Sequence, residues 1–586
     1  MLFLLLFACE EEPEIDIITT AEADTDTDAD ADTDTDTEGS YTDHCGDITT
    51  DQTWTAAANP HRISCAVDVL GAVLTLEAGV EVEVDDADGI TVGNSDYGGS
   101  LVIAGTEAQP VRLHGVGSSD GGVWDGIVVN DLASGVSLSW TTIEGGGGAA
   151  RGALYSEAPL LLDHVTIGAS EDHGLELTDG AYLMDGSNSI SVSDAGALFF
   201  PISLVPAAVA TLPIGNLDVS NNPQAMIRIE AGDLGTSATW ADPGVPYVVD
   251  GRVDVEGTAD NPAILTIGPG TTVQVARSGG IRIASTGGAG GLRALGTSGA
   301  PVAFTAFGAA LAGYWDGIEA LSGTSSDALT LTHTTVSYAG GGTHGAAVYV
   351  ADAELLADSL TITDCEDLGL YLSGDAQLAE GSDDITVEGC ARPGRVPAHA
   401  LGRFVGVDTT FVDNTEAQLI VDGDDISSAM TWPRLDVPYW VQGDVNVDGT
   451  VPDPAVLTLT AGTTFYMAND AGIFVGRHDG ASALVAVGTE SNPIVFRAGD
   501  AEVKGQWCGI GLYDTSDDAL SIFDHVEIAH GGGSTLSGNI HLSSASPRID
   551  HTTLTDSDEY GLYLSTDAAP TLGTVTYSGN RLGDTN

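Results

Sequence analysis

One long phrase returns three times in this chain: LTLEAGVEV from Leu74, LTIGPGTTV from Leu265 and LTLTAGTTF from Leu457. Its glycines, Gly79, Gly270 and Gly462, are 191 (270 − 79) and 192 (462 − 270) residues apart. Pro110, Pro301 and Pro493 keep the same two separations, and so do Trp124, Trp315 and Trp507 in WDGI, WDGI and WCGI. Independent anchors that stay in step over such distances mark a tandem triplication of one large unit, with almost no insertion between copies.

Inside each unit a looser period appears, with turns of roughly 22 to 25 residues. Ile167 is answered by Val192 and Leu177 by Phe199. Each turn holds two or three runs of three to five residues with alternating apolar side chains, bounded by Gly, Asp, Asn and Ser, which is the pattern of short strands. The 3.6-residue period of helices is hard to find after residue 45, and 76 glycines argue against long helices. Strands this short cannot all close hairpins, but they can stack coil on coil. The expected fold is all-β, a parallel β-solenoid whose coils hydrogen-bond to one another at about 4.8 Å. Inward residues such as Leu265 and Ile267 would pile into an apolar column worth roughly 25 cal/mol per Å² buried, while Gly270 would turn a corner with positive φ.

The phrases YVVDGRVDV, YWVQGDVNV, LTIGPGTTV, GTESNPIVF and WDGI resemble those of right-handed parallel β-helix repeat proteins of the pectin-lyase-like superfamily, in particular large bacterial surface-associated members. The resemblance covers nearly all of residues 46–586. It implies a right-handed parallel β-helix built from three units, 45–239, 240–431 and a shortened 432–586. Asn222 and Asn414 occupy matching places, so a third counterpart falls near 606 (414 + 192), beyond Asn586. The last coil would then expose strand edges, covered by a partner unless the chain is a shortened product.

The opening MLFLLLFAC resembles a bacterial lipobox. It implies a signal peptide at 1–8 and lipidation of Cys9, hence an exported, membrane-anchored protein of the outer membrane or cell surface. Residues 9–44 read as an acidic disordered tether, with 14 acidic side chains and no basic one between Glu10 and Glu38. Its alternating Asp24, Asp26, Asp28, Asp30, Asp32, Asp34 and Asp36 are weak candidates for calcium; the glycine and closing glutamate of a calcium loop are missing. No other cofactor is indicated. With 86 acidic residues against 17 basic ones the formal charge is −69, which repels DNA, RNA and anionic surfaces and leaves no nucleic-acid partner.

Cys365 in LTITDC and Cys390 in ITVEGC occupy the same place in successive coils, where stacking brings Cα atoms within the disulfide range of about 4.4 to 6.8 Å. Cys45 and Cys65 form a second candidate pair near the N-terminal cap, and Cys508 is left as a buried, inert thiol. Catalytic members of the resembling superfamily use carboxylates, calcium and a basic side chain in a long groove. Here GDD occurs at Gly423 to Asp425, but the accompanying NTD and RIK do not, and DHG at Asp172 to Gly174 is a poor stand-in for GHG. The pairs Asp163/His164, Asp524/His525 and Asp550/His551 recur in strands or turns, which suits a coil-corner role better than catalysis or metal binding. Adjacent carboxylates such as Asp383 and Asp384 are expected by chance in so acidic a chain. Trp124, Trp315, Trp507, Tyr247 and Tyr439 could stack on sugars, but their place beside apolar strands suits packing. No catalytic or cofactor-binding set emerges. The sequence reads as a non-catalytic surface rod that binds glycan or a cell-surface protein in adhesion; a polysaccharide lyase or hydrolase is the alternative, and a structural spacer a third.

Overall fold

Backbone hydrogen bonds between coils organise the protein. The computed structural model describes residues 41–586 apart from 451 and 479, and within it Tyr41–Asn586 form one unit. The ladders between strands are parallel throughout, and helix is confined to four short 3₁₀ segments among the described residues. The fold is a parallel β-helix, as the repeat pattern predicts. Cys9 and residues 10–40 of the expected tether lie outside the described residues, whereas Thr42–His44, assigned to the tether from sequence, form the first strand of the β-helix because they pair with His61–Ile63.

Three ladders run along the first unit. One contains Thr42–His44, His61–Ile63, Glu81–Val84 and Val111–Gly115. A second contains Gln52–Trp54, Val73–Leu76 and Ser100–Ala104. The third contains Val67–Val69, Gly89–Val92, Gly126–Val129 and Leu154–Ser156. Alternate residues face inward and stack on their own kind: Ile127, Leu154, Leu175, Ile202 and Ile227 follow one another on successive coils, all fully buried. Coil length is less regular than the sequence suggests. Thr42 pairs with His61, 19 residues on, whereas Ile90 pairs with Ile127, 37 residues on. The excess sits in loops, so the strands stay in register.

At each unit boundary the hydrogen-bonded stack continues but the repeat moves round by one face. The third ladder of unit one passes from Ile202–Leu204 to Ile227–Leu234 and then through Tyr247 into Thr272–Val275. Thr272–Val275 is the counterpart of Glu81–Val84, which lies in the first ladder. The same hand-over takes Arg392–Pro397 through Leu419–Ile426 into Thr464–Met467. It is made by a register shift, between Glu230 and Gly232 at one boundary and Asp422 and Asp424 at the other, after which the same strand founds a new ladder.

The recurring phrases hold the coils from inside. Trp124, Trp315 and Trp507 are fully buried, and each indole N–H donates at 2.8 Å to the carbonyl of Glu144, Ser337 or Ala529. Tyr247 and Tyr439 are buried too, their hydroxyls donating to Ala241 and Pro433 carbonyls six residues back. These five aromatics are core, not sugar platforms. Gly270 has φ +83°, and a Cβ there would lie 2.9 Å from Asp242 Oδ2, so only glycine turns this corner without strain. Both expected disulfides form, Cys45–Cys65 and Cys365–Cys390, with Cα separations of 4.8 and 4.6 Å. Cys508 is free and buried; burial raises its thiol pKa and keeps it protonated.

An asparagine bridges coils in every unit. Asn414 donates to the carbonyl of Val387 and accepts from the amide of Cys390; Asn222 does the same with Val192 and Ala195. The third such bridge is Asn580, to Leu554 and Ser557, one coil earlier than the expected position. Asn414→Ala, which strands a buried carbonyl and amide, should lower stability by about 1–3 kcal/mol, read as a lower urea midpoint. Asn469→Ala, an exposed control, should leave the midpoint unchanged.

The first coil carries a pH-sensitive element. His44 stacks on Trp54 with ring centroids 3.8 Å apart and shares a 2.9 Å hydrogen bond with His61. Burial, then the neighbouring His61 charge, lowers the His44 pKa from 6.5 to about 4. The unfolded coil therefore binds more protons between those values, and stability there is lost as pH falls through that window. The protection factors of amides in Thr42–His44 and His61–Ile63, after correction for the intrinsic pH dependence of exchange, should fall from pH 7 to 4.5, and His44→Phe should blunt the change.

Candidate functional site

Because strands stack in register, outward side chains also form columns, and one of them is unlike the rest. Reading across Gly317–Ala320 and the seven strands stacked after it, the positions on the outer side of the strands are Glu319, Tyr349, Tyr371, Arg395, Ile420, Trp440, Tyr466 and Arg497, of which Glu319, Tyr349 and Ile420 are buried by their neighbours. A column of aromatic and arginine side chains thus runs across the boundary between units two and three. Its neighbours within the strands, such as Val348, Leu370 and Val441, point into the core.

The members support one another. His344 lies flat on Tyr349 at 3.7 Å, and Tyr349 meets Tyr371 edge-on at 5.1 Å. The guanidinium carbon of Arg395 sits 5.2 Å above the Tyr371 ring, and that of Arg497 sits 4.7 Å above Tyr466. Arg395 is held by both oxygens of Asp422, at 3.0 and 2.9 Å, and Arg392 bridges Asp367 and Glu416 at 2.7 and 2.8 Å. These ion pairs offset the charge of Arg392 and Arg395 and fix their planes, while Arg497 is held by the Tyr466 side chain instead, leaving an amphipathic surface in a strongly acidic protein.

Two open clefts follow the column. One, of about 390 Å³, is walled by Arg392, Arg395, Gln418, Trp440 and Gln442. The other, of about 310 Å³, is walled by Arg434, Asp436, Thr464, Tyr466 and Arg497. The chain has 17 basic residues counting one lysine, Lys504, so four of its 16 arginines line these two clefts. Three wall atoms, Gln418 Oε1, Trp440 Nε1 and Arg497 Nε, are buried with no protein hydrogen-bond partner. An unpaired buried polar group is costly, although the Arg497 guanidinium is also tied through Nη2 to the Tyr466 hydroxyl.

The motifs singled out in the sequence lie elsewhere. Gly423, Asp424 and Asp425 occupy the register shift at the boundary between units two and three, where the earlier boundary has Ala231, Gly232 and Asp233. Asp424 is hydrogen-bonded to His399, and Asp425 accepts from Asn446 at 2.9 Å, so the two carboxylates have different partners. The His399–Asp424 pair borders a cleft of about 620 Å³ that also takes in Asp375 and Arg403. Its walls are polar, and Asp375 and Asp425 line it beside the His399–Asp424 pair. The hydrogen bond to Asp424 raises the His399 pKa against the opposing effect of burial. Burial acts to raise Asp424, but its bonds to His399 and to the Asp425 amide bring it below the usual carboxylate value.

Asp172 and His173 are buried, the imidazole against the Phe200 backbone. His164, His525 and His551 have φ of +56°, +52° and +41° at the corner between two ladders, in register with other positive-φ residues such as Trp140 and Ser189. The corner role expected for the Asp–His pairs is therefore what the geometry shows. Asp384, with φ +51°, turns the matching corner of unit two beside Asp383. The aromatic column itself was missed from sequence. The signal was present in AAVYVA, LGLYLS, PYWVQ and TFYM, where an aromatic takes the polar phase of an alternating strand.

No family model matches the chain. No curated protein matches it either. A solved structure, the alginate lyase AlyGC of the PL6 family, aligns with 91% of this chain and 100% of its own at 10% identity, with a TM-score of 0.19. So loose an alignment carries no argument about the chain, and the fold rests on the strand pairings above. For the His399 cleft, NMR titration of labelled histidine should show His399 titrating above 6.5, and Asp424→Asn should bring it down.

Proposed function

We propose that the chain is an exported β-helix, anchored to a membrane through lipid on Cys9 and held off by its acidic tether, which binds an extended glycan along the Tyr349–Arg497 column. The column is the observation that carries this reading. The aromatic side chains Tyr371, Trp440 and Tyr466, interleaved with arginines on coils about 4.8 Å apart, suit the apolar faces and hydroxyl groups of sugar rings. The column is long, as a polymer requires, and the open clefts beside it expose Trp440 and Tyr466. Two disulfides favour an oxidising compartment outside the cytoplasm. We read the column as a binding face rather than a reaction centre, so the biological role is adhesion or display at the surface; cleavage of the glycan is the competing outcome.

Binding to a panel of neutral and charged polysaccharides, measured by affinity electrophoresis, tests this. Binding should weaken by at least about tenfold, roughly 1.4 kcal/mol, in Trp440→Ala/Tyr466→Ala. Unchanged binding in that variant would remove the column from the account. New reducing ends or unsaturated products during incubation would replace binding by catalysis. The anchor has its own test: Cys9→Ser should move the protein from the membrane fraction to the soluble one.

A further inference from the structure

In the third unit the corner between ladders carries a cluster that the other units lack. Strands Ile522–Asp524 and Arg548–Asp550 pair in parallel, so that Asp524 lies beside Asp550. Val526–Ala529 and Thr552–Thr555, the strands that follow, pair too. His525 and His551, each the single residue between its two strands, therefore stand one above the other. In the matching places of unit one Trp140 lies below His164, and in unit two His333 lies below Ser359. Among the described residues, two histidines and two aspartates coincide at this corner alone.

The stacking is close and directed. The imidazole centroids are 4.5 Å apart with an interplanar angle of 16°. Both Nδ1 atoms face one carboxylate oxygen, Asp524 Oδ1, at 2.8 Å from His525 and 3.0 Å from His551. The ligating atoms of the three residues all lie within 4.8 Å of one another, the single such group among the described residues. Asp550 Oδ1 is 3.4 Å from His551 Nδ1. Arg548 Nη2 is 3.0 Å from Asp550 Oδ2 and 3.6 Å from Asp524 Oδ2, bracing the carboxylates from the far side. Both histidines are held in the left-handed region, so their Cβ positions are set by the backbone before any ligand arrives.

We propose that Asp524, His525 and His551 form a binding site for a divalent transition-metal cation, zinc being the best fit. Two imidazole nitrogens and one carboxylate oxygen are the donors that zinc accepts, at about 2.0–2.2 Å, with a fourth position left to water or Asp550. Admitting the ion requires the oxygen–nitrogen separations to open by a few tenths of an ångström and one imidazole to turn out of the near-parallel stack, because the metal bonds in the plane of each ring. Calcium takes six to eight oxygen ligands and is a poor match to two nitrogens. With neutral histidines, two carboxylates and one guanidinium, the corner carries one net negative charge, which attracts a dication. The ion would clip two successive coils at the end of the chain furthest from Cys9 in sequence.

The test uses the full chain without a histidine tag, loaded with zinc in the presence of millimolar calcium to saturate surface carboxylates, desalted, and analysed for metal by mass spectrometry. The parent should retain one more zinc per chain than Asp524→Asn, and one more than His525→Ala/His551→Ala. Cobalt in place of zinc should give visible ligand-field absorption in the parent that both variants lose. Circular dichroism checks that each variant is folded; should the double variant unfold, His551→Gln keeps the side-chain volume and should lose the same zinc. Equal zinc content in parent and folded variants, or none retained by the parent, overturns the proposal.

Discussion

Parallel hydrogen bonding between successive coils is the interaction on which everything else depends. Each strand satisfies its backbone groups on the coil before and the coil after, so no coil is complete alone and the arrangement is additive along the chain. Register is then the controlling variable. A slip of one residue would turn Ile127, Leu154 and Leu175 outward together and bring their polar neighbours in. The buried tryptophans and the asparagine bridges resist such a slip, since each ties a side chain on one coil to a backbone group on another. The same register that stacks the core also stacks whatever faces out, which is how isolated Tyr and Arg residues become a continuous column.

The triplication does not produce three copies of one surface. Because the repeat moves round by one ladder at each boundary, equivalent residues of successive units point to different faces. A given face is therefore a composite: the aromatic column starts on the third ladder of unit two and ends on the first ladder of unit three. The matching face across the first boundary carries Val128, Tyr155, Glu176, Ser203, Arg228, Val248, Gln274 and Thr305, so the aromatic column is set by its residues and not by the hand-over alone. The hand-over does explain why GDD is a structural mark here. Its residues make the register shift that passes a strand from one ladder to the next.

The sequence revealed most of what depends on local pattern. The repeat length, the strand alternation, the positive φ at Gly270, the two disulfides and the buried state of Trp124, Trp315 and Trp507 all follow from residues close together or from exact recurrence. What was hidden depends on which coil stacks where. Loops vary so widely that Ile90 reaches Ile127 while Thr42 reaches His61, and the partner of an outward residue cannot be counted off. Tyr371 and Arg395, or His525 and His551, become neighbours only once every intervening loop length is known. A further set of anchors, Trp54, Trp240 and Trp432, was passed over because the units differ in length before the phrase at Leu74, although all three are buried at matching places.

Register is best measured by engineered cysteines on adjacent coils. Thr335 pairs with Thr361 in the stack that also sets Tyr349 beside Tyr371. With strands about 4.8 Å apart, Thr335→Cys/Thr361→Cys falls inside disulfide range, whereas a partner at Thr363 lies two residues further along, about 8 Å away and outside it. Mass spectrometry after mild oxidation should find the first pair crosslinked nearly completely and Thr335→Cys/Thr363→Cys scarcely at all. Equal crosslinking of both pairs, or preference for the second, would contradict the stacking from which the column and the metal corner are derived.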